Sequence, residues 1–401
     1  MSRENLLREV TDPANRHDPY PIYARLREEP VTLLEDGSFA ISRYDGISAL
    51  LHDPRVSSDP HNNPALKDAA PPVTPFISKD PPDHDRMRRV AMRQFGPPSS
   101  PGLVGAQLPE IQRIVDGLLD DLQDRDRIDV AQDFSYPLPV NVICRLLGVP
   151  PDDEPTFHQW AGAIVAGVDA SDQADGAELD TKRMEAQTAI VGYLGQLLQE
   201  RRSKPRDDLI SRLATDQSED RMADLDIQIT GTMLLVAGHE TTVNLISNGT
   251  LTLLRNPDVL ARLREEPELV VPMTEELLRF EPPVQYLPNR STLADLEVAG
   301  TTIPKGSRVV LLLAAGNRDP DHFDEPERFV PDRRENQHFG YGGGIHYCFG
   351  APLARLEAHV ALLALARRLR NPRLVDDPPP YRPSPVLRGP QHLLVEADGI
   401  D

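Results

Sequence analysis

Cysteine is scarce in this chain of 401 residues, which holds only Cys144 and Cys348. Two thiols cannot build a disulfide framework, and a reducing compartment is the simpler setting. Basic residues are outnumbered, 43 Lys and Arg against 63 Asp and Glu, for a formal charge of −20. A general nucleic-acid binder needs the opposite balance, because it must displace the counterions of the phosphates. Long apolar runs are missing too. A run such as Val309–Ala315 is far below the roughly 20 residues that span a bilayer. The N-terminal stretch MSRENLLREVTD carries charges where a signal peptide would carry its apolar core. The expectation is a soluble, cytoplasmic protein with no membrane and no nucleic-acid partner.

Proline is in excess: 40 residues, about twice the average share of roughly 5%. Pairs such as Pro71-Pro72, Pro81-Pro82, Pro97-Pro98, Pro150-Pro151 and Pro282-Pro283 separate helical stretches, so many shorter helices fit better than a few long ones. Val31–Leu34 and Phe39–Ser42 flank a Glu-Asp-Gly-Ser loop and read as a hairpin. Helical periodicity follows over Asp45–His52, then a loop over Ser57–Ser78 that is either a ligand cover or a plain surface loop. Residues 108–147 and 181–201 read as helical, with an acidic exposed loop over 169–180. A long helix over Asp224–Leu254 is apolar nearly all round and belongs in a core. After Pro282-Pro283 come short strands, Leu296–Val298, Thr301–Ile303 and Val309–Leu313, and a last helix starts just after Cys348. No repeat or clean linker divides the chain. It reads as one large domain over 1–401, mainly α with small β-sheets, the β portions at roughly 1–60, 284–330 and the C-terminal tail.

The segment Tyr341-Gly342-Gly343-Gly344-Ile345-His346-Tyr347-Cys348-Phe349-Gly350-Ala351-Pro352 is the most informative. Successive glycines suit a backbone forced into unusual φ or pressed against a ligand. Cys348 precedes a helix with Pro352 in its first turn. A helix N-terminus favours a thiolate, and a thiolate held by backbone donors can serve as an axial iron ligand. The competing interpretation is a buried, inert thiol; the glycine run and His346 weigh against it.

Tyr341, Gly344, His346, Cys348 and Gly350 at these spacings resemble the signature of the cytochrome P-450 family, the heme-thiolate monooxygenases. The departure is Tyr341 where Phe is usual, and the Tyr341 hydroxyl needs a partner. The resemblance implies the cytochrome P-450 fold, heme b (iron protoporphyrin IX) and Cys348 as the iron ligand, with Gly350 and Ala237 against the cofactor. The long helix holds Ala237-Gly238-His239-Glu240-Thr241-Thr242. Its Gly and Thr residues weaken helix propensity and predict a local bulge. In the family, the acid–alcohol pair matching Glu240 and Thr241 serves oxygen activation. His84 and Arg88 are i and i+4 on one helix face. The resemblance assigns them, with Arg290 and His346, to the heme propionates.

The resemblance further implies that Glu276, Arg279 and Arg328 form a structural ion network. It implies insertion of one oxygen atom from O2 into a small hydrophobic substrate such as a steroid, macrolide, terpenoid or other secondary metabolite. Electrons would come from ferredoxin and ferredoxin reductase, docking on Arg86, Arg89, Arg93 and Arg355. Pocket walls are expected from the 61–79 loop, Val236-Ala237, Val284–Leu287 and Val386-Leu387. A peroxide-driven heme-thiolate peroxygenase and a non-catalytic gas or redox sensor are the alternatives; the intact Glu240-Thr241 pair disfavours both.

Overall fold

The computed structural model describes residues 6–64, 67, 74–95, 102–169 and 176–401. Residues 65, 66 and 68–73 of the expected Ser57–Ser78 loop, and 170–175 of the acidic stretch, lie outside the described residues. Helices α1 (Leu6–Thr11) and α2 (Tyr20–Arg27) lead into strands β1 (Val31–Leu33) and β2 (Phe39–Ile41), helix α3 (Tyr44–His52) and strand β3 (Val56–Ser57). The helical half then runs through α4 (Asp83–Phe95), α5 (Gly102–Gly105), α6 (Leu108–Asp120), strand β4 (Arg127–Asp129) and α7 (Pro137–Leu147). It continues with α8 (Glu154–Asp169), α9 (Gly176–Ser203), α10 (Leu209–Ala214), α11 (Asp224–Arg255), α12 (Pro257–Glu265) and α13 (Val270–Phe280). Strands β5 (Leu287–Thr292), β6 (Leu296–Val298), β7 (Thr301–Ile303) and β8 (Arg308–Leu311) follow, then α14 (Leu313–Gly316), α15 (Ala351–Arg368), β9 (Arg373–Leu374) and β10 (Leu394–Glu396).

One sheet has the order β1-β2-β8-β5-β3, a second β4-β10-β9, and β6-β7 stand as a ladder of their own. The hairpin pairs Val31 with Ile41 and Leu33 with Phe39, and its turn uses Gly37 at φ +78°, a conformation that glycine adopts without a Cβ penalty. Strand β2 continues in parallel into β8 through Phe39–Val309 and Ile41–Leu311.

Helix α11 is the axis of the core. Its buried residues fall on almost every face, from Ile227 to Leu253, as its near-continuous apolar pattern requires. Neighbouring helices come close because α11 carries glycine at the crossings. A Cβ at Gly249 would lie 2.9 Å from Leu362 Cδ2 of α15 and 3.0 Å from Leu277 Cδ1 of α13. A Cβ at Gly231 would lie 2.8 Å from Leu194 Cδ1 of α9. Each fully buried Leu or Ile in these contacts contributes about 1.5–3 kcal/mol.

Several expectations are corrected. The stretch 108–147 is not one helical run: α6 ends at Asp120, and β4 and a π-helical turn over Val130–Ser135 intervene before α7. Asp129 turns the chain there, accepting from the N–H groups of Ala131 and Gln132. Within the acidic stretch 169–180, residues from Gly176 onward already belong to α9. The strand expected to reach Leu313 stops at Leu311, and Leu313 opens α14. The bulge expected in α11 is absent. That helix stays α-helical through 237–242, and the hydroxyls of Thr241 and Thr242 donate to the carbonyls of Ala237 (2.8 Å) and Gly238 (2.9 Å).

The ion network forms with a different third member. Glu276 and Arg279 are both 0% exposed and joined by hydrogen bonds of 2.7 and 2.8 Å. Arg333, not Arg328, brings the second guanidinium to Glu276, at 3.1 Å. The Arg328 side chain points to solvent and pairs with Glu325. Only its backbone carbonyl joins the network, accepting from Arg279 at 3.0 Å.

Candidate active site

The loop before α15 folds as its glycines dictate. Gly342 (φ +68°) and Gly344 (φ +62°) are left-handed, and a Cβ at Gly344 would overlap the carbonyl oxygen of Leu51 in α3. The loop closes on itself where the Cys348 N–H donates to the Tyr341 carbonyl at 2.9 Å. Cys348 is half-buried at the foot of α15, with Gly350 as the residue before its first turn. Burial pushes the thiol pKa up, while the N–H groups of Gly350 and Ala351 and the Arg88 guanidinium pull it back. A metal ion bound at the sulfur would add to these donors in favouring the thiolate. Cys144 is the contrast: fully buried within α7, its pKa raised by burial, it is core packing.

Beside the loop, His84, Arg88, Arg290 and His346 converge. The rings of His84 and His346 lie 4.4 Å apart. His84 is 1% exposed; its Nδ1 meets Asp85 at 2.8 Å, while its Nε2 and both ring nitrogens of His346 are buried without a hydrogen-bond partner. Arg88 reaches the Tyr347 carbonyl at 2.7 Å, and Arg290 the Asn289 carbonyl at 3.1 Å. Burial, then repulsion from His84, Arg290 and Arg88, drives the His346 pKa down to about 3. Burial likewise lowers Arg88 and Arg290. Cationic and donor groups crowded this way call for an anion among them.

Cys348, Phe349 and Gly350 line one side of a cavity of about 400 Å³, and Ala237, Gly238, Thr241 and Thr242 of α11 line another. Arg88, Arg290 and His346 also border it, as do the apolar Ile143, Met233, Leu234, Val284 and Leu287. A Cβ at Gly350 would meet nothing nearer than the Cys348 sulfur at 3.9 Å. Among the described residues, no cluster of three or more His, Cys, Asp or Glu side chains could hold a metal ion. A lone thiolate can hold iron there only if a separate group supplies the remaining ligands. The residues present fit a metal cofactor that brings its own remaining ligands and carries anionic groups: Cys348 would hold the metal, and His84, Arg88, Arg290 and His346 the anionic groups. A cytochrome P450 family model matches residues 30–396.

The chain belongs to the cytochrome P450 family.

The vitamin D(3) 25-hydroxylase of Pseudonocardia autotrophica is 39% identical over 397 residues, covering 94% of this chain and 93% of that one. The 6-deoxyerythronolide B hydroxylase of Saccharopolyspora erythraea is 35% identical over 403 residues, covering 95% and 96%. Among solved structures, ligand-free CYP164A2 of Mycobacterium smegmatis superposes with a TM-score of 0.88 at 39% identity, covering 98% of this chain and all of that one. This P450 is thus a monooxygenase that binds iron protoporphyrin IX. No described helix is long and apolar enough to cross a membrane.

The structure brings Ala237, Thr241, Arg88, Arg290, His346, Cys348 and Gly350 to one cavity, with His84 packed against His346. Glu240 is elsewhere: on α11 it turns away from the cavity lining and pairs with Arg382. Of the expected pocket walls, Ile77, Ser78, Ala237, Val284 and Leu287 take part, while Val236 packs into the main core and Val386 against the N-terminal cluster. Part of the 61–79 segment lies outside the described residues. Met233 and Leu234 were missed, although they sit one turn before Ala237 on the face that carries Thr241. Arg382 gave no local signal at all. The expected docking arginines are each paired within the chain: Arg86 with Asp83 and Asp226, Arg89 with Asp220, Arg93 with Asp216 and Arg355 with Glu275.

Proposed function

We propose that this P450 hydroxylates a bulky, hydrophobic and largely uncharged metabolite of the steroid, macrolide or terpenoid kind. Cys348 would hold the heme iron, His84, Arg88, Arg290 and His346 the propionates, and Gly350 and Ala237 would flank the macrocycle. When bound, the heme supplies the activation of O2 and the transfer of one oxygen atom to substrate, with the thiolate pushing electron density toward the metal. Thr241 presents its hydroxyl to the cavity, and Glu240 behind it exchanges protons with water. The apolar walls at Ile143, Met233, Leu234, Val284 and Leu287 orient the substrate by shape and exclude water from the reacting carbon. Ferredoxin and ferredoxin reductase are the proposed electron donors, and the cytoplasm the proposed compartment.

The observation that carries this reading is the shared cavity of about 400 Å³, which Cys348 of the glycine loop and Thr241 of α11 both line. The relatives named for vitamin D3 and 6-deoxyerythronolide B support the substrate class, since both compounds are large and uncharged. The test has two parts. Cys348→Ser should abolish the thiolate spectrum of the reduced carbon monoxide complex; a spectrum unchanged in the variant refutes the ligand assignment. A compound panel screened for the spectral change of the ferric protein should return neutral polycyclic or macrocyclic binders, and a set confined to charged ligands would refute the substrate class. Turnover supported by peroxide alone would instead make the protein a peroxygenase.

A further inference from the structure

Neighbouring residues on a helix point about 100° apart, so Thr241 can face the cavity while Glu240 faces the C-terminal segment. There Glu240, 5% exposed, is ion-paired with Arg382, 6% exposed. The segment that carries Arg382 is a closed arch. Tyr381 pairs with Pro390, and the Arg382 N–H donates to the Gly389 carbonyl at 3.2 Å.

The arch is seated on the face of α11 that bears Glu240. A Cβ at Gly389 would overlap the carboxamide of Asn244, one turn beyond Glu240. One further turn on, Asn248 donates to the Arg388 carbonyl at 2.9 Å. Arg388 fastens the outside of the arch, donating to the carbonyls of Arg16 and His17, both at 2.8 Å, and pairing with Glu281.

Among the described residues, His239, Tyr136 and His158 also lie near this pair. Burial, then the charge of Arg382, takes the His239 pKa down to about 3. Burial, then the charge of Glu240, pushes Tyr136 up to about 12, and its hydroxyl donates to the His158 carbonyl at 3.3 Å. His158, itself lowered by burial, meets Asn141 at 2.9 Å.

We propose that Arg382 is a positioning residue of the oxygen-activating site: its ion pair fixes the Glu240 carboxylate, so the C-terminal arch as well as α11 governs proton delivery. The inference rests on the Glu240–Thr241 relay proposed above. In that relay the carboxylate takes a proton from solvent water and passes one to the Thr241 oxygen, while Thr241 releases its own hydroxyl proton into the cavity, so that each group ends with the protons it began with. Arg382 keeps its own proton throughout, and no electron moves.

The test uses the full heme-loaded chain and the variants Thr241→Ala, Glu240→Gln, Arg382→Gln, Arg382→Lys and Gly389→Ala. It reads the peroxide released per reducing equivalent, the rate ratio in light and deuterated water, and the infrared carboxylate band assigned by its loss in Glu240→Gln. Arg382→Gln should move that band and raise the peroxide share on the order of tenfold, less than the roughly 10²–10⁴-fold worth of a general acid because the carboxylate is displaced and not removed. Arg382→Lys should restore coupling. Gly389→Ala, which lifts the arch without touching either charge, should also leak peroxide while keeping the thiolate spectrum, and it stands in if Arg382→Gln does not fold. Coupled turnover and an unmoved band in Arg382→Gln, or coupled turnover in Gly389→Ala, overturn the proposal if Thr241→Ala leaks. A fully coupled Thr241→Ala overturns the relay itself and this proposal with it.

Discussion

The carboxylate of Glu276 accepts from Arg279, from Arg333, from the Val330 N–H at 2.9 Å and from Asn336 at 3.2 Å, with no exposure to solvent. Charge buried this deeply is tolerated because its oxygens are satisfied by the surrounding donors. Removing it strands two guanidiniums in the interior. Glu276→Gln should therefore cost roughly 3–5 kcal/mol, the usual penalty for breaking a buried ion pair, read as a shift in the denaturant midpoint. Arg328→Ala should leave the midpoint in place, because that side chain points to solvent and only its backbone enters the network. Equal losses from the two variants would contradict this geometry. The Glu276–Arg279 pair was legible in the sequence as i and i+3. The choice between Arg328 and Arg333 was not, because it depends on how residues 324–334 turn back on α13.

At the scale of elements, the Cys348 loop depends on α3 for its shape. Gly344 combines a left-handed backbone with a Cβ position already taken by the Leu51 carbonyl, so Gly344→Ala is strained twice. It should lower the melting temperature and cut heme incorporation per chain, measured by the ratio of Soret to protein absorbance; full incorporation would show that the loop does not need this fit. On the other side of the loop, Glu275 of α13 ties to Arg355 of α15 with hydrogen bonds of 2.7 Å, and His338 joins at 3.2 Å. Burial alone would raise the Glu275 pKa, but Arg355 and His338 outweigh it and hold it at about 2, against an ordinary 4.5. A carboxyl whose pKa is depressed by folding stabilises the native state above its unfolded pKa and loses that contribution as pH falls toward its folded one. By linkage the pair contributes roughly 3 kcal/mol above pH ~4.5, all but lost near pH ~2. Glu275→Gln should accordingly flatten the acid limb of stability in urea titrations, and a limb as steep as that of the unchanged chain would remove Glu275 as its source.

Over the whole molecule, periodicity revealed α11, the hairpin and the start of α15, because each declares itself within one stretch of chain. The sheet β4-β10-β9 did not, since its strands come from residues 127–129, 373–374 and 394–396 and exist only through one another. The Cys348 site was legible for a similar reason: its signature is local, whereas the Glu240–Arg382 contact joins distant parts of the chain. Charge is the property that only the assembled molecule resolves. The total is −20, yet a basic patch at Arg86, Arg89 and Arg93 was expected to attract an acidic electron donor. Asp220, Asp216 and Asp226 close on those arginines, with separations of 2.7, 3.4 and 4.0 Å, and an arginine already paired contributes little field beyond about a Debye length. Docking of an acidic ferredoxin would then work against net repulsion rather than being steered by attraction. The first electron transfer, followed by stopped-flow at limiting ferredoxin, should hold steady or quicken as salt rises from about 50 to 300 mM, since screening weakens repulsion. A steep fall over that range would mean that the arginines exchange their internal carboxylates for those of the donor when it binds.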